Sequence, residues 1–222
     1  MESHLPSWLH KHRGEHRWPA ALVVIICILL QSIQSRHALP DNLRIPFLVA
    51  ESILLFLLCA FNPKRINKIN KELRNLSLTL LTIITIGNAY CIWILIKKLL
   101  LMSEPLTPAN LLLNGGTIWA VNILLFGLWF WELDRKGPAA RANGIDAFPD
   151  FLFPQMENSN LAHPGWRPVF IDYLYVAFTN GTAFSPTDTE PLSTWAKVLM
   201  AIESAISLLA LVVVIARAIN LT

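Results

Sequence analysis

The sequence predicts an all-α polytopic membrane bundle of five to six transmembrane segments, with a short helix before the last one. Three observations predict it. Of 222 residues, 54% are hydrophobic and only 15% charged, where a soluble domain carries about 25% charged residues, and the mean hydropathy is +0.48. Apolar runs close to the ~20 residues that a spanning helix requires recur along the chain. The basic residues fall in short clusters between those runs. With a net charge of only +3, that is the distribution of membrane loops and not of a nucleic-acid-binding face.

Taken in order, the runs cover residues 18–33, 45–61, 78–96 and 111–131, and a final, longest run covers 195–219. Between the last two lies a shorter apolar stretch, 169–184. At about 1.5 Å rise per residue it only just spans a thin bilayer, so it reads either as a short sixth crossing or as a re-entrant half-helix. The organisation that follows is a polar N-terminal segment (1–17), a four-helix region (18–132), a Pro- and aromatic-rich loop (133–167) and a C-terminal short helix plus long helix (168–222). The polar, basic start has no small-residue cleavage site before the first apolar run, so a cleaved signal peptide is not expected.

Lys and Arg set the orientation. Lys11, Arg13 and Arg17 precede the first run, five basic residues from Lys64 to Arg74 fill the second loop, and Arg135, Lys136 and Arg141 follow the fourth run. The opposite loops hold Arg36, Arg44, Lys97 and Lys98. Cytoplasmic loops carry the excess, which places the N-terminus and the second and fourth loops inside. If 169–184 crosses fully, the C-terminus is inside too, and the charge pattern favours this six-pass reading. Ile66, Ile69, Leu73 and Leu76 recur at helical spacing among Lys68, Lys71 and Arg74, which predicts a basic amphipathic turn on the cytoplasmic surface, attracted to anionic lipid. The loop around Phe148, Phe151, Phe153 and Trp166 is too apolar for a disordered linker and is expected to fold back under the helices as an ordered cap.

Ionisable and amide groups at membrane depth are the candidate functional residues, because each costs several kcal/mol unless paired or hydrated. Glu51, Asn88, Asn122 and Glu203 fall inside four different runs. Facing one interior, they form a polar site able to bind a cation or pass a proton. The alternative is interhelical hydrogen bonding, with Gly87, Ser204 and Ser207 allowing close approach. Asp172 is expected to pair with Arg217, if the last two segments form an antiparallel hairpin, or with Arg167. Cys27, Cys59 and Cys91 lie inside apolar runs as small buried hydrophobes, and no metal or cofactor is implied. The chain has no HExxH, P-loop, GxGxxG or GxSxG signature. Glu132 and Asp134 read either as an acid pair or as an interfacial anchor beside Trp129 and Trp131.

From Asp172 to Asn220 the sequence DYLYVAFTNGTAFSPTDTEPLSTWAKVLMAIESAISLLALVVVIARAIN resembles a family of uncharacterised bacterial inner-membrane proteins. Asp172, Tyr173, Leu174, Tyr175, Phe178, Thr179, Asp188 and Asn220 sit where that family's pattern has them, and the aromatic-acidic end from Trp129 to Asp134 is similar. The same stretch resembles the pore helix, filter and inner helix of potassium channels. With Asp188 on the filter aspartate, Thr182, Ala183, Phe184, Ser185, Pro186 and Thr187 stand where the filter belongs. The filter glycines that let carbonyls ring an ion are missing, so the turn is a degenerate one. The resemblance implies the bacterial inner membrane. The function expected is a non-enzymatic scaffold or sensor with a channel-like hairpin. A conduit for a small cation or proton is the alternative, and an enzyme acting on a lipid is the second alternative. The partners expected are the lipid bilayer and a second copy of the chain, with no nucleic acid.

Overall fold

In lipid an apolar run can satisfy its backbone only within itself or in a closed barrel, and this chain takes the helical solution. The computed structural model describes residues 6–35, 41–61, 64–101, 108–158, 160, 162–182 and 188–219. The first four helices are α1 (Trp18–Ser35), α2 (Asp41–Phe61), α3 (Lys71–Leu101) and α4 (Pro108–Leu133). Two short helices, α5 (Pro138–Ala142) and α6 (Pro154–Glu157), punctuate the long loop. They are followed by α7 (Phe170–Thr182) and α8 (Thr194–Ile219). Helices α2, α3, α4 and α8 are long and apolar enough to cross a membrane, and α1 is a shorter apolar helix. Among the described residues four helices thus qualify as spans by length and composition, so the helical membrane bundle is borne out and its five to six spans are not confirmed.

Local chemistry sets the helix ends. Asn70 caps α3, its Oδ1 accepting the N–H groups of Glu72 at 2.8 Å and Leu73 at 3.4 Å. Because α3 starts at Lys71, Leu73 and Leu76 belong to its first turns, while Ile66 lies in a strand. The separate amphipathic turn expected there is instead split between a strand and the root of a long helix. At the other limit, α4 stops where Arg135, Lys136 and Gly137 take φ of 49°, 61° and 95° in succession. For a non-glycine residue this left-handed region costs about 1–2 kcal/mol. Gly137 has no choice, since a Cβ would lie 2.9 Å from the Glu132 carbonyl oxygen.

Helix α4 is the central element: it packs against α1, α3, α7 and α8. Of its apolar window 56% is buried, against 11% for the peripheral α2. Two antiparallel strand pairs close one end of the bundle. β1 (Glu15–His16) pairs with β2 (Arg65–Ile66), and β3 (Phe151–Leu152) pairs with β4 (Glu190–Pro191). The N-terminal segment, the α2–α3 connection and the loop after α4 therefore all meet at that end. The loop is ordered by its aromatics. Phe151 is fully buried between Phe130, Tyr173 and Trp195, and Phe153 lies against Trp166 and Tyr173. Phe148 departs from the expected cluster and is 83% exposed.

The course of α7 resolves the short apolar stretch. Its first turn lies at the loop end, with Phe170 and Trp131 edge to face, their ring centres 5.6 Å apart. Its last turn lies deep in the bundle, where Trp119 donates to the Gly181 carbonyl at 3.3 Å. The chain then reappears at the loop end. Leu192 N–H bonds to the Asp150 carbonyl at 2.8 Å, and Trp195 Nε1 to Asp150 Oδ1 at 2.9 Å. Thirteen residues rise about 20 Å, short of a ~30 Å hydrocarbon core. Residues 170–182 are thus a re-entrant helix, and α7 and α8 run parallel. The six-crossing reading gives way, and Ile219 lies at the opposite end of the bundle from His16. An impermeant maleimide should label Phe148→Cys and Glu190→Cys from one side of a sealed vesicle and Asp41→Cys from the other. Labelling at 148 and 190 from opposite sides would contradict the re-entrant course.

Candidate functional site

The sequence-predicted polar residues do not converge on one interior. Asn122 and Glu203 meet. Asn122 Nδ2 donates to Ser207 Oγ at 2.9 Å and to the Glu203 carbonyl at 3.2 Å. A residue that the sequence did not single out, Asn180 at the tip of α7, donates to Glu203 Oε2 at 2.7 Å and to the Met200 carbonyl at 2.9 Å. Ser204 Oγ returns a bond to the Asn180 carbonyl at 3.2 Å. Gly181 permits the approach: a Cβ there would lie 3.0 Å from Ile123 Cγ1 and 3.2 Å from Ser207 Oγ. This cluster pins the re-entrant tip between α4 and α8. The interhelical role weighed from the sequence describes these bonds, although Glu203 Oε1 and Asn122 Oδ1 are buried with no hydrogen-bond partner among the described residues.

Glu51 sits elsewhere. It is 1% exposed and lines a cavity of about 140 Å³ with residues of α1, α2 and α3, among them Gln31, Gly87 and Tyr90. Glu203 is not part of that lining. Asn88 lies on the buried stripe of α3, its Oδ1 without a hydrogen-bond partner among the described residues. Asp172 accepts the Val169 N–H at 2.7 Å, closing the first turn of α7. Because α7 and α8 are parallel, position 217 falls at the far end of the bundle, so the Asp172–Arg217 pairing lacks the antiparallel geometry it required. The side chain of Arg217 lies outside the described residues. So do positions 183–187 of the filter-like turn, which leaves Thr182 as the last residue of α7 and Asp188 at the start of the return.

The densest polar arrangement lies at the loop end and surrounds Arg141, a residue that the sequence marked only as a topology charge. Its guanidinium is 2% exposed. Nη1 donates to the carbonyls of Trp131 at 2.7 Å and Asp134 at 2.8 Å, and Nη2 reaches Glu15 Oε1 at 3.3 Å. Its Cζ stands 4.9 Å from the centre of the Tyr173 ring. Glu15 Oε2 accepts both the Trp131 indole N–H at 2.9 Å and the Phe170 backbone N–H at 3.0 Å, so a carboxylate seats the N-terminus of α7. Asp134 accepts the Tyr173 hydroxyl at 2.5 Å and the Asp150 N–H at 2.9 Å. Asp134 is therefore a buried structural anchor and not half of an open acid pair. Glu132 faces a different space.

That space is a second cavity at the same end, about 290 Å³, enclosed by α1, α2, α3, α4 and the start of the loop. Its walls are aliphatic, with Val24, Leu58, Leu81 and Leu128 among them. Its polar lining is Arg17, Lys68, Lys71, Arg74 and Lys136 together with Glu132, Asn70 and Ser77. Five basic side chains and one carboxylate thus border an apolar space, with Lys136 also paired to Asp146 at 3.2 Å. The sequence had grouped Lys68, Lys71 and Arg74 together, but nothing local tied them to Arg17 and Lys136. Among the described residues no group of three or more His, Cys, Asp or Glu stands ready to hold a metal. No family model, curated protein or solved structure matches this chain.

Two outcomes follow for the loop end. Arg141→Met leaves Glu15 and Asp134 buried without their cation and should destabilise by about 3–5 kcal/mol. Lys136→Gln, which removes an ion pair to Asp146 at 3.2 Å from a side chain that is 65% exposed, should change stability by less than about 1 kcal/mol. Thermal unfolding in detergent compares them. His12 supplies the second outcome. Burial, together with Arg167, Arg141, Arg135 and Arg65, holds it down to about 4 from an ordinary 6.5, and its neutral Nδ1 accepts the Gly14 N–H at 3.0 Å. A depressed histidine takes its proton more readily when unfolded. Its contribution is thus whole above pH 6.5 and falls away as the pH drops toward 4. His12→Asn should flatten that part of the stability profile.

Proposed function

We propose that this protein is a non-enzymatic membrane receptor or scaffold that binds an anionic lipid in the cavity between α1, α2, α3 and α4. The observation that carries the reading is the joint presence of aliphatic walls and a cationic polar lining. Acyl chains need carbon contact, and a phosphate-bearing headgroup needs cations at its own depth. Lys68 and Lys71 are exposed at the mouth, where long side chains can reach a headgroup while their stems cover apolar surface. The proposed setting is the bacterial inner membrane, with the closed end of the bundle cytoplasmic, as the Lys and Arg excess there supports. The re-entrant α7 then starts inside, and α8 ends outside, a revision of the C-terminus inside that full crossing would have required. A re-entrant α7 followed by a long α8 supports the likeness to a channel pore module in form. A conduit through Glu51 and Glu203 draws no support from two acids that line different spaces.

In nanodiscs and by native mass spectrometry, the full chain should retain phosphatidylglycerol over phosphatidylcholine, and added salt should reduce that preference. Each lysine near the membrane surface contributes about 1 kcal/mol, so Lys68→Gln with Lys71→Gln should weaken anionic lipid binding roughly thirtyfold. Equal retention of both lipids by the unaltered chain would sink the reading.

A further inference from the structure

We infer that the smaller cavity, between α1, α2 and α3 at the opposite end of the bundle, binds a small organic ammonium ion whose charge is held by Glu51. Three observations point there. The Glu51 carboxylate is 1% exposed, lines the cavity, and keeps Oε2 without a hydrogen-bond partner among the described residues. A buried carboxylate oxygen lacking a donor costs several kcal/mol, and a ligand that brings N⁺–H groups removes that cost. The neighbouring amide, Gln31 Nε2, donates to the Ile84 carbonyl at 2.7 Å.

The acid of the lining selects a cation. Arg44 also borders the cavity, but it is already paired with Asp41 at 2.7 Å. Asp41 lies outside the lining and its side chain is 74% exposed, so Glu51 is the acid of the lining that a ligand's charge can meet. The remaining wall selects an organic cation over a metal ion. Leu43, Phe47, Leu48, Ile86 and Cys91 offer carbon and sulfur, whereas a hard cation asks for about six oxygen ligands. An alkyl or aryl ammonium asks for one carboxylate and apolar contact, which is what these residues supply, and Phe47 and Tyr90 add aromatic rings to the lining. The volume of about 140 Å³ is close to the ~150 Å³ of an apolar cavity that takes up benzene, so the ligand is a single ring or a four- to six-carbon chain with one amine.

The test uses the full chain in a non-ionic detergent, with benzylammonium as the probe and benzyl alcohol as its neutral counterpart, followed by titration calorimetry. Benzylammonium should bind saturably and about tenfold more tightly than the alcohol, the size of one charge-assisted contact. Glu51→Gln should erase the preference while alcohol binding persists, and Glu157→Gln, an exposed loop acid, should leave it intact. The comparison of the two probes on the unaltered chain decides the matter even where Glu51→Gln does not fold. Equal affinity for both probes, no saturable binding of benzylammonium, or a preference that survives Glu51→Gln would each overturn the inference. Competitive displacement by millimolar sodium or calcium would overturn the organic-cation assignment.

Discussion

Everything at the closed end of this bundle depends on one buried cation. Arg141 carries its charge into a site with almost no solvent, where an isolated guanidinium would be prohibitively unstable. It is tolerated because two main-chain carbonyls, the Glu15 carboxylate and the faces of Tyr173 and Trp131 surround it. The residues that satisfy Arg141 come from the N-terminal segment, the end of α4 and the start of α7. One guanidinium therefore ties three parts of the chain that are far apart in sequence. Glu15 links the arrangement outward by accepting the first N–H of α7, and Asp134 does so through the Tyr173 hydroxyl and the Asp150 backbone.

With its start fixed there, α7 can be short. A helix that ends at membrane depth exposes terminal carbonyls where no bulk water reaches them, and neighbours must answer them. Trp119 donates to the Gly181 carbonyl and Ser204 to that of Asn180. Asn180 in turn spends its side-chain amide on α8. The polar residues of α4 and α8 thus act first as the socket of a re-entrant tip. That accounts for most of their bonds without invoking transport, and it explains why Asn122 and Glu203 share a site while Glu51 does not.

The two cavities lie at opposite ends of the helices and differ in their polar lining. At the closed end, the connection between α2 and α3 and the turn after α4 bring cations over an aliphatic space. At the other end, where α2 begins, the smaller space has a buried acid, Glu51, in its lining beside Arg44. Both are built on α1, α2 and α3, which surround the central α4 more loosely than α7 and α8 do. The space available to ligands falls where the packing is least complete, as expected for pockets between the helices of a bundle.

Composition and run length alone determined that this is a helical membrane protein, because only a self-satisfied backbone survives in lipid and about twenty apolar residues suffice to cross it. Spacing also picked out Glu51, Asn88, Asn122 and Glu203 as buried polar residues, since each interrupts an apolar run. Spacing could not say which of them touch, because contact across helices depends on helix rotation and order, neither of which a single run encodes. The same limit hid Arg141 and Glu15, which lie in short loop segments outside any long apolar run; only the folded loop and the N-terminal segment together exclude water from them. Above all, a thirteen-residue apolar helix is compatible with crossing a thin bilayer or with turning back. The pairing of β3 with β4 and the bond from Trp195 to Asp150 made that choice, and both are contacts between segments some forty residues apart.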